Sequence, residues 1–247
     1  FTLFSLDGDE DATKYSINCI YLTSDEKLYV GTDNYGLYMY DNGTFQRVSE
    51  MYNLGVSTIN AMYEDDNKNL WIAASSGIFR LSSDGAEALA DDVVSGLSVG
   101  NISGHGDYVY AIANNDILIT VDPERHVTIT NKSEYRVDDI NSLYVDENGN
   151  RYYGSAGYSI LKIGTDGKNE IINTGSLHGI NKIYSDGDNI WALADDGVGY
   201  ISSKGNVTAI GGLSFNESMS DMIIDFEGNY WFTSYRKGIL QLERSKF

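Results

Sequence analysis

The sequence predicts an all-β chain folded as a six-bladed β-propeller, with four antiparallel strands in each blade. Three observations carry that expectation. A unit of about forty residues recurs six times, its apolar first strand starting near residues 17, 59, 99, 140, 180 and 219. One position in every unit is aromatic: Tyr29, Trp71, Tyr110, Tyr152, Trp191 and Trp231, which uses all three tryptophans of the 247-residue chain. A polar turn with Asp, Asn or Gly precedes each of these aromatics, and no stretch sustains a helical period.

Each unit reads the same way along the chain. The first strand alternates apolar and polar residues, as in Ile17 to Leu22, Ile59 to Tyr63 and Ile140 to Val145. A tight turn follows, such as Asp146-Glu147-Asn148-Gly149-Asn150. The second strand holds the repeated aromatic. A glycine often opens the third strand, at Gly36, Gly77 and Gly238. The fourth is looser: Phe45 to Ser49, Val127 to Thr130 and Val207 to Ile210. The segment Ala86 to Ala90 has helix-forming residues, but its place in the register makes it an outer strand or loop.

One such unit cannot cover both faces of its small sheet, so units must stack and close on themselves. The predicted organisation is a single propeller domain over residues 1–247. The chain stops at Arg244 to Phe247, where the last fourth strand should begin, and it starts with Phe1 to Ser5, which has strand character. The N-terminal strand is therefore expected to complete the last blade and lock the ring.

Composition narrows the partners. Lys plus Arg is 17 against 36 for Asp plus Glu, a net charge of −19 that repels phosphate backbones and anionic lipid. No nucleic acid and no direct membrane insertion are expected, since no run of about 18 apolar residues exists. Cys19 is the sole cysteine, which excludes an intrachain disulfide. Residue 1 is Phe rather than Met, so the chain reads as a processed or excised piece of something longer.

Catalytic constellations are scarce. His105, His126 and His178 fall in different loop classes, and no HExxH, CxxC, GxSxG or phosphate-loop motif occurs. The Asp-rich turns lack the closing Glu of a calcium loop and recur too regularly to be a site, so turn chemistry explains them. No metal, no cofactor and no catalytic residue is expected. A residue repeated around the ring serves the ring, so the repeated aromatics read as packing between blades, and so do the repeated Tyr21, Tyr63, Tyr144 and Tyr184. The repeated Asn18, Asn60, Asn141 and Asn181 of the first strands read as structural amides near the channel.

A ligand site should lie where the repeats disagree, in the loops joining second and third strands. Counted from the repeated aromatic, the third strand starts six residues on in the units of Trp71, Tyr110 and Trp191. It starts seven residues on in those of Tyr29, Tyr152 and Trp231. Each longer loop brings a tyrosine: Tyr35, Tyr158 and Tyr235. With Asp33, Asn34, Asn114, Asn115, Asp195, Asp196 and Arg236 these form the candidate ligand-binding set. Loops between blades on the same rim add Tyr52, Asn53, Tyr135, Arg136, His178 and Asn216. Tyrosine faces flanked by amides and carboxylates suit a saccharide, whose C–H face stacks while its hydroxyls are bonded.

The units Ile17 to Tyr40, Ile59 to Leu81 and Met219 to Leu242 carry a pattern of apolar strand, Asp-x-x-Gly-Asn-type turn and Leu-Trp-Ile-Gly-Thr-like strand. In this the chain resembles the two-component regulator propeller repeat. The resemblance implies a sensor propeller in the extracytoplasmic part of a membrane-anchored bacterial signalling protein, periplasmic or on the cell surface. Its partners would be a small-molecule or saccharide ligand and the neighbouring domains of the larger sensor. Two other readings stay open: a protein–protein interaction scaffold, and an enzyme similar to streptogramin lyase, which would need a histidine and an acid facing each other on one rim.

Overall fold

Alternation of apolar and polar residues, cut by tight turns, gives the described residues of this chain short antiparallel strands of three to seven residues and little else. A computed structural model describes residues 6, 14–52, 54–89, 93–202, 205–211 and 217–243. They form a six-bladed β-propeller, each blade an up-and-down antiparallel sheet in chain order. Blade 1 comprises Ser16–Leu22, Leu28–Asp33, Leu37–Asp41 and Thr44–Arg47. Blade 2 comprises Ile59–Glu64, Leu70–Ala74, Gly77–Ser82 and Gly85–Ala88. Blade 3 comprises Val99–His105, Tyr108–Ala113, Ile117–Val121 and Val127–Asn131. Blade 4 comprises Ile140–Val145, Arg151–Ser155, Ser159–Ile163 and Asn169–Asn173. Blade 5 comprises Ile180–Ser185, Ile190–Ala194, Gly197–Ile201 and Val207–Ala209. Blade 6 has three strands among the described residues, Met219–Ile224, Tyr230–Ser234 and Gly238–Leu242.

The chain forms two compact units, Phe1–Thr130 with blades 1 to 3 and Asn131–Phe247 with blades 4 to 6. The expected closing strand, Phe1 to Ser5, and the end it should join, Arg244 to Phe247, lie outside the described residues. Leu6 makes an isolated parallel bridge to Phe45 of blade 1. It is buried with Val30 and Tyr38 on the face of that blade turned away from blade 2. Blade 1 departs from the expected strand in one further way. Its fourth strand stops at Arg47, and Val48–Met51 form a single helical turn that buries Val48 and Ser49.

Packing between blades repeats the same chemistry within each unit. Tyr29 and Leu37 of blade 1 pack on Ile59 and Ile72 of blade 2. Trp71 and Ile78 pack on Val99 and Ile102 of blade 3. Tyr152 and Ile160 pack on Ile180 and Ile183, and Trp191 and Val198 on Met219, Met222 and Phe232. In these four seams the repeated aromatic sits between blades, where burying about 150–250 Å² contributes up to ~4–6 kcal/mol. Side-chain amides stitch the same seams. Asn18 Nδ2 donates to Ile59 O at 3.1 Å, Asn60 Nδ2 to Val99 O at 2.8 Å, and Asn181 Nδ2 to Met219 O at 3.3 Å. In blade 4 the donor on this seam is Ser142 Oγ, to Ile180 O at 3.1 Å.

The Asp of the first turn does more than shape it. Trp71 Nε1 donates to Asp65 Oδ2 at 2.8 Å, Trp191 Nε1 to Asp186 Oδ2 at 2.9 Å and Trp231 Nε1 to Asp225 Oδ2 at 2.8 Å. The other carboxylate oxygen accepts backbone amides of the turn, as from Glu227 N at 3.0 Å and Asn229 N at 2.9 Å onto Asp225 Oδ1. Turn and indole are thereby fixed by one side chain.

Candidate ligand site on the hairpin rim

The loops between second and third strands are two or three residues long, and their length decides which side chains reach the rim. Blades 2 and 5 close with two residues, since Ala74 pairs with Gly77 and Ala194 with Gly197. Blade 3 closes with three, Asn114 to Asp116, because Ala113 pairs with Ile117. The expected six-residue spacing for the blade of Tyr110 is therefore corrected to seven. Ile117 stands where blades 1, 2, 5 and 6 have glycine, so the start of that third strand carries no sequence mark.

In the first unit the candidate residues are engaged locally. Asp33 Oδ1 accepts from Thr58 Oγ1 at 3.1 Å, and Asn34 N donates to the same hydroxyl at 3.2 Å. Tyr35 is half-buried, its ring 4.8 Å from that of Tyr15 in an edge-on pair with the Lys14 ammonium 5.6 Å from its centroid. Its carbonyl accepts from Arg47 Nε at 2.7 Å. Asn114 and Asn115 are exposed turn residues with φ of 52° and 62°, left-handed backbone that asparagine tolerates. Tyr52, expected on this rim, instead lines a cleft with Lys27, Tyr29 and Glu64 on the side of the first turns. Asn53 and Asn216 lie outside the described residues.

The second unit brings several candidates together. Tyr158 is exposed, with its ring 4.9 Å from that of His178. His178 N donates to Asp196 Oδ1 at 2.9 Å, and its Nδ1 is 4.0 Å from Asp195 Oδ2. Asp195 Oδ1 accepts from Asn181 Nδ2 and Ser218 Oγ, both at 2.9 Å. Ser218 O in turn accepts from Tyr235 N at 3.3 Å, so the blade 6 hairpin with Tyr235 and Arg236 is one residue removed from Asp195. A cleft of about 490 Å³ opens beside Tyr158 and His178, with Asp138, Asp139 and Lys132 on its other wall. Lys132 is paired with Asp139.

Gly157 shapes the cleft, and Gly179 seats the carboxylate beside His178. A Cβ on Gly157 would collide with the Asp138 carboxylate, and one on Gly179 with that of Asp195. Each carboxylate therefore rests directly on backbone and cannot be displaced toward it. The result is an aromatic wall of Tyr158 and His178 beside carboxylates held in place, an arrangement that accepts hydrogen bonds from hydroxyls while a ring packs on the tyrosine.

Hairpin lengths alone do not reveal Lys132, Asp138, Asp139 and Gly157, and they leave His178 outside the binding set. The signal was present one loop earlier. Asp138-Asp139 ahead of the first strand of blade 4 stands where four of the other units have Ser57-Thr58, Leu97-Ser98, His178-Gly179 and Glu217-Ser218. The remaining histidines are elsewhere. His105 ends a first strand. The exposed His126 holds Nδ1 3.0 Å from Asp122 Oδ2 within its own turn.

Fold and rim define a β-propeller with a polar, aromatic-walled cleft over one of its hairpin ends. Within it, residues 53–76 match the family model described as two component regulator propeller. No curated protein matches the chain in sequence. Among solved structures, it is similar to the extracellular domains of two putative hybrid two component systems from B. thetaiotaomicron. Both are 17% identical to it; one matches over 93% of this chain with a TM-score of 0.77, the other over 100% with 0.76. The chain spans 34% of each of those two chains, about a third of their length. It is also similar to virginiamycin B lyase from Staphylococcus aureus with quinupristin. There the identity is 14% and the TM-score 0.73, over 96% of this chain and 85% of that one. At these identities the likeness is one of fold.

Proposed function

We propose that this chain is a non-catalytic, ligand-binding sensor propeller from the extracytoplasmic part of a bacterial two-component-type signalling protein. Its ligand is a saccharide or similar polyhydroxylated small molecule, bound in the cleft of the second unit. The observation that carries the reading is the cleft itself, with the Tyr158 ring tilted against that of His178 and the Asp138 carboxylate seated on Gly157. Tyr158 supplies the stacking face. Asp138, Asp195 and Asp196 accept hydroxyl hydrogens, and Tyr235 and Arg236 extend the surface from the adjoining hairpin. The repeat matched at 53–76 and the likeness to extracellular domains of two component systems support the signalling context. Signal passes to neighbouring domains through a difference in ligand affinity between two states of the propeller.

A glycan array followed by calorimetry on the best hit tests this. Tyr158→Ala should weaken binding by about tenfold or more, the loss of one stacking contact of about 1–2 kcal/mol. Full affinity in Tyr158→Ala, or no glycan binding at all, sinks the reading. The rival lyase reading predicts turnover of a streptogramin substrate that vanishes in His178→Ala. The scaffold reading predicts capture of a protein partner unaffected by Tyr158→Ala.

A further inference from the structure

Four carboxylates of the second unit stand in or next to the cleft of Tyr158 and His178, and three of them have partners. Asp139 is paired with Lys132. Asp195 Oδ1 accepts from Asn181 Nδ2 and Ser218 Oγ, and Asp196 Oδ1 accepts from His178 N. Asp138 lines the cleft with neither a hydrogen bond nor an ion pair to any of the described residues. It is exposed, yet it is held in place. Its carboxylate rests on Gly157, and the backbone on both sides is tied down. Ala156 N donates to Asp139 O at 2.6 Å, and Gly179 N donates to Gly157 O at 3.0 Å.

Blade 6 shows what this carboxylate lacks. Glu217 stands two residues before the first strand of blade 6, as Asp138 stands two residues before that of blade 4. Glu217 Oε1 is paired with Lys237 Nζ at 3.2 Å. Lys237 is the residue just before the third strand Gly238–Leu242, and Tyr158 is the residue just before Ser159–Ile163. Blade 4 therefore keeps the acid of this pair and has a tyrosine in place of its lysine. Blades 2, 3 and 5 carry Ser57, Leu97 and His178 at the position of the acid, so none of them needs the cation. Lys132, the one lysine or arginine among the described residues lining the cleft, is already held by Asp139.

We infer that the ligand supplies the missing cation: the cleft takes a saccharide bearing a free amine, whose ammonium bonds Asp138 while its ring lies against Tyr158. The inference rests on the saccharide site proposed above and names the class of sugar. A bond from an ammonium to a carboxylate is charge-assisted and stronger than one from a hydroxyl. The tyrosine face adds a cation–π attraction, where a lysine at the same position would repel the amine.

Calorimetry at about pH 7, where a primary amine is mostly protonated, tests this with trimers of glucosamine, N-acetylglucosamine, glucose and galacturonic acid. Wild type should bind the glucosamine trimer about tenfold more tightly than the N-acetylglucosamine and glucose trimers, and added salt should narrow the gap. Asp138→Asn should bring these affinities level. Tyr158→Lys, which rebuilds the blade 6 pair, should also remove the preference, and it carries the test if Asp138→Asn fails to fold. Equal affinities in wild type, with binding that still needs Tyr158, overturn the amine inference and leave the saccharide site standing. A preference that persists in both variants overturns it too. So does tightest binding of the galacturonic acid trimer, which would place the selecting charge on Arg236. Failure of every glycan to bind sinks the saccharide site and this inference together.

Discussion

An aspartate that closes a turn and also holds an indole explains two repeated residues at once. At Asp65 the site is buried, and its carboxylate accepts from Trp71 Nε1, Asn69 N and Asn67 N. Asp65→Ala leaves buried donors without an acceptor and should destabilise the first unit by about 1–3 kcal/mol in urea denaturation. The same bonds set a response to acid. The Trp231 indole, with Asn229 and backbone amides, holds the Asp225 carboxyl down at about 2. Burial pushes Asp186 up, but Trp191 and the turn amides outweigh it and leave it lowered. A depressed carboxylate stabilises the fold above its unfolded pKa of about 3.8 and loses that contribution as pH falls toward 2. Denaturation midpoints should therefore drop between about pH 4 and 2, and less so in Asp225→Asn. The opposite sign operates in base. Burial raises Tyr63 and Tyr152 to about 12. Their contribution is complete below about pH 10 and lost as pH rises from about 10 to 12, visible as delayed phenolate absorbance followed by unfolding.

At the level of strands and hairpins, the sequence was legible wherever a residue type had one physical use. Alternation marked the first strands, and glycine marked most third strands. Where glycine was replaced by Ile117, the hairpin count slipped by one. The short helix Val48–Met51 was not legible, because four residues show no periodicity and tertiary burial of Val48 sets their conformation. The first-strand asparagines read as structural in the sequence, and the fold gives three of them a definite role. Asn18, Asn60 and Asn181 each bond the chain at the start of the next blade. Asn18→Ala, Asn60→Ala and Asn181→Ala should each cost about 1 kcal/mol, adding within error when combined because the sites are on separate seams. Strong non-additivity would show that the seams are coupled.

Across the molecule, three tyrosines that look equivalent in sequence have different surroundings. Tyr35 packs against Tyr15, whereas Tyr158 and Tyr235 are exposed. Tyr35→Ala should lower Tm by about 4–8 °C, while Tyr158→Ala and Tyr235→Ala leave it nearly unchanged in calorimetry. Equal shifts for all three would contradict the packing. The sequence by itself determined the blade count, the strand order within a blade and the aromatic seam. These follow from a forty-residue period and a two-residue alternation, both written along the chain. Only the tertiary structure decided that His178 meets Tyr158 and Asp195, and that Asp138 lies over Gly157. These pairs come from different strands and loops, and spacing along the chain does not encode distance across a seam.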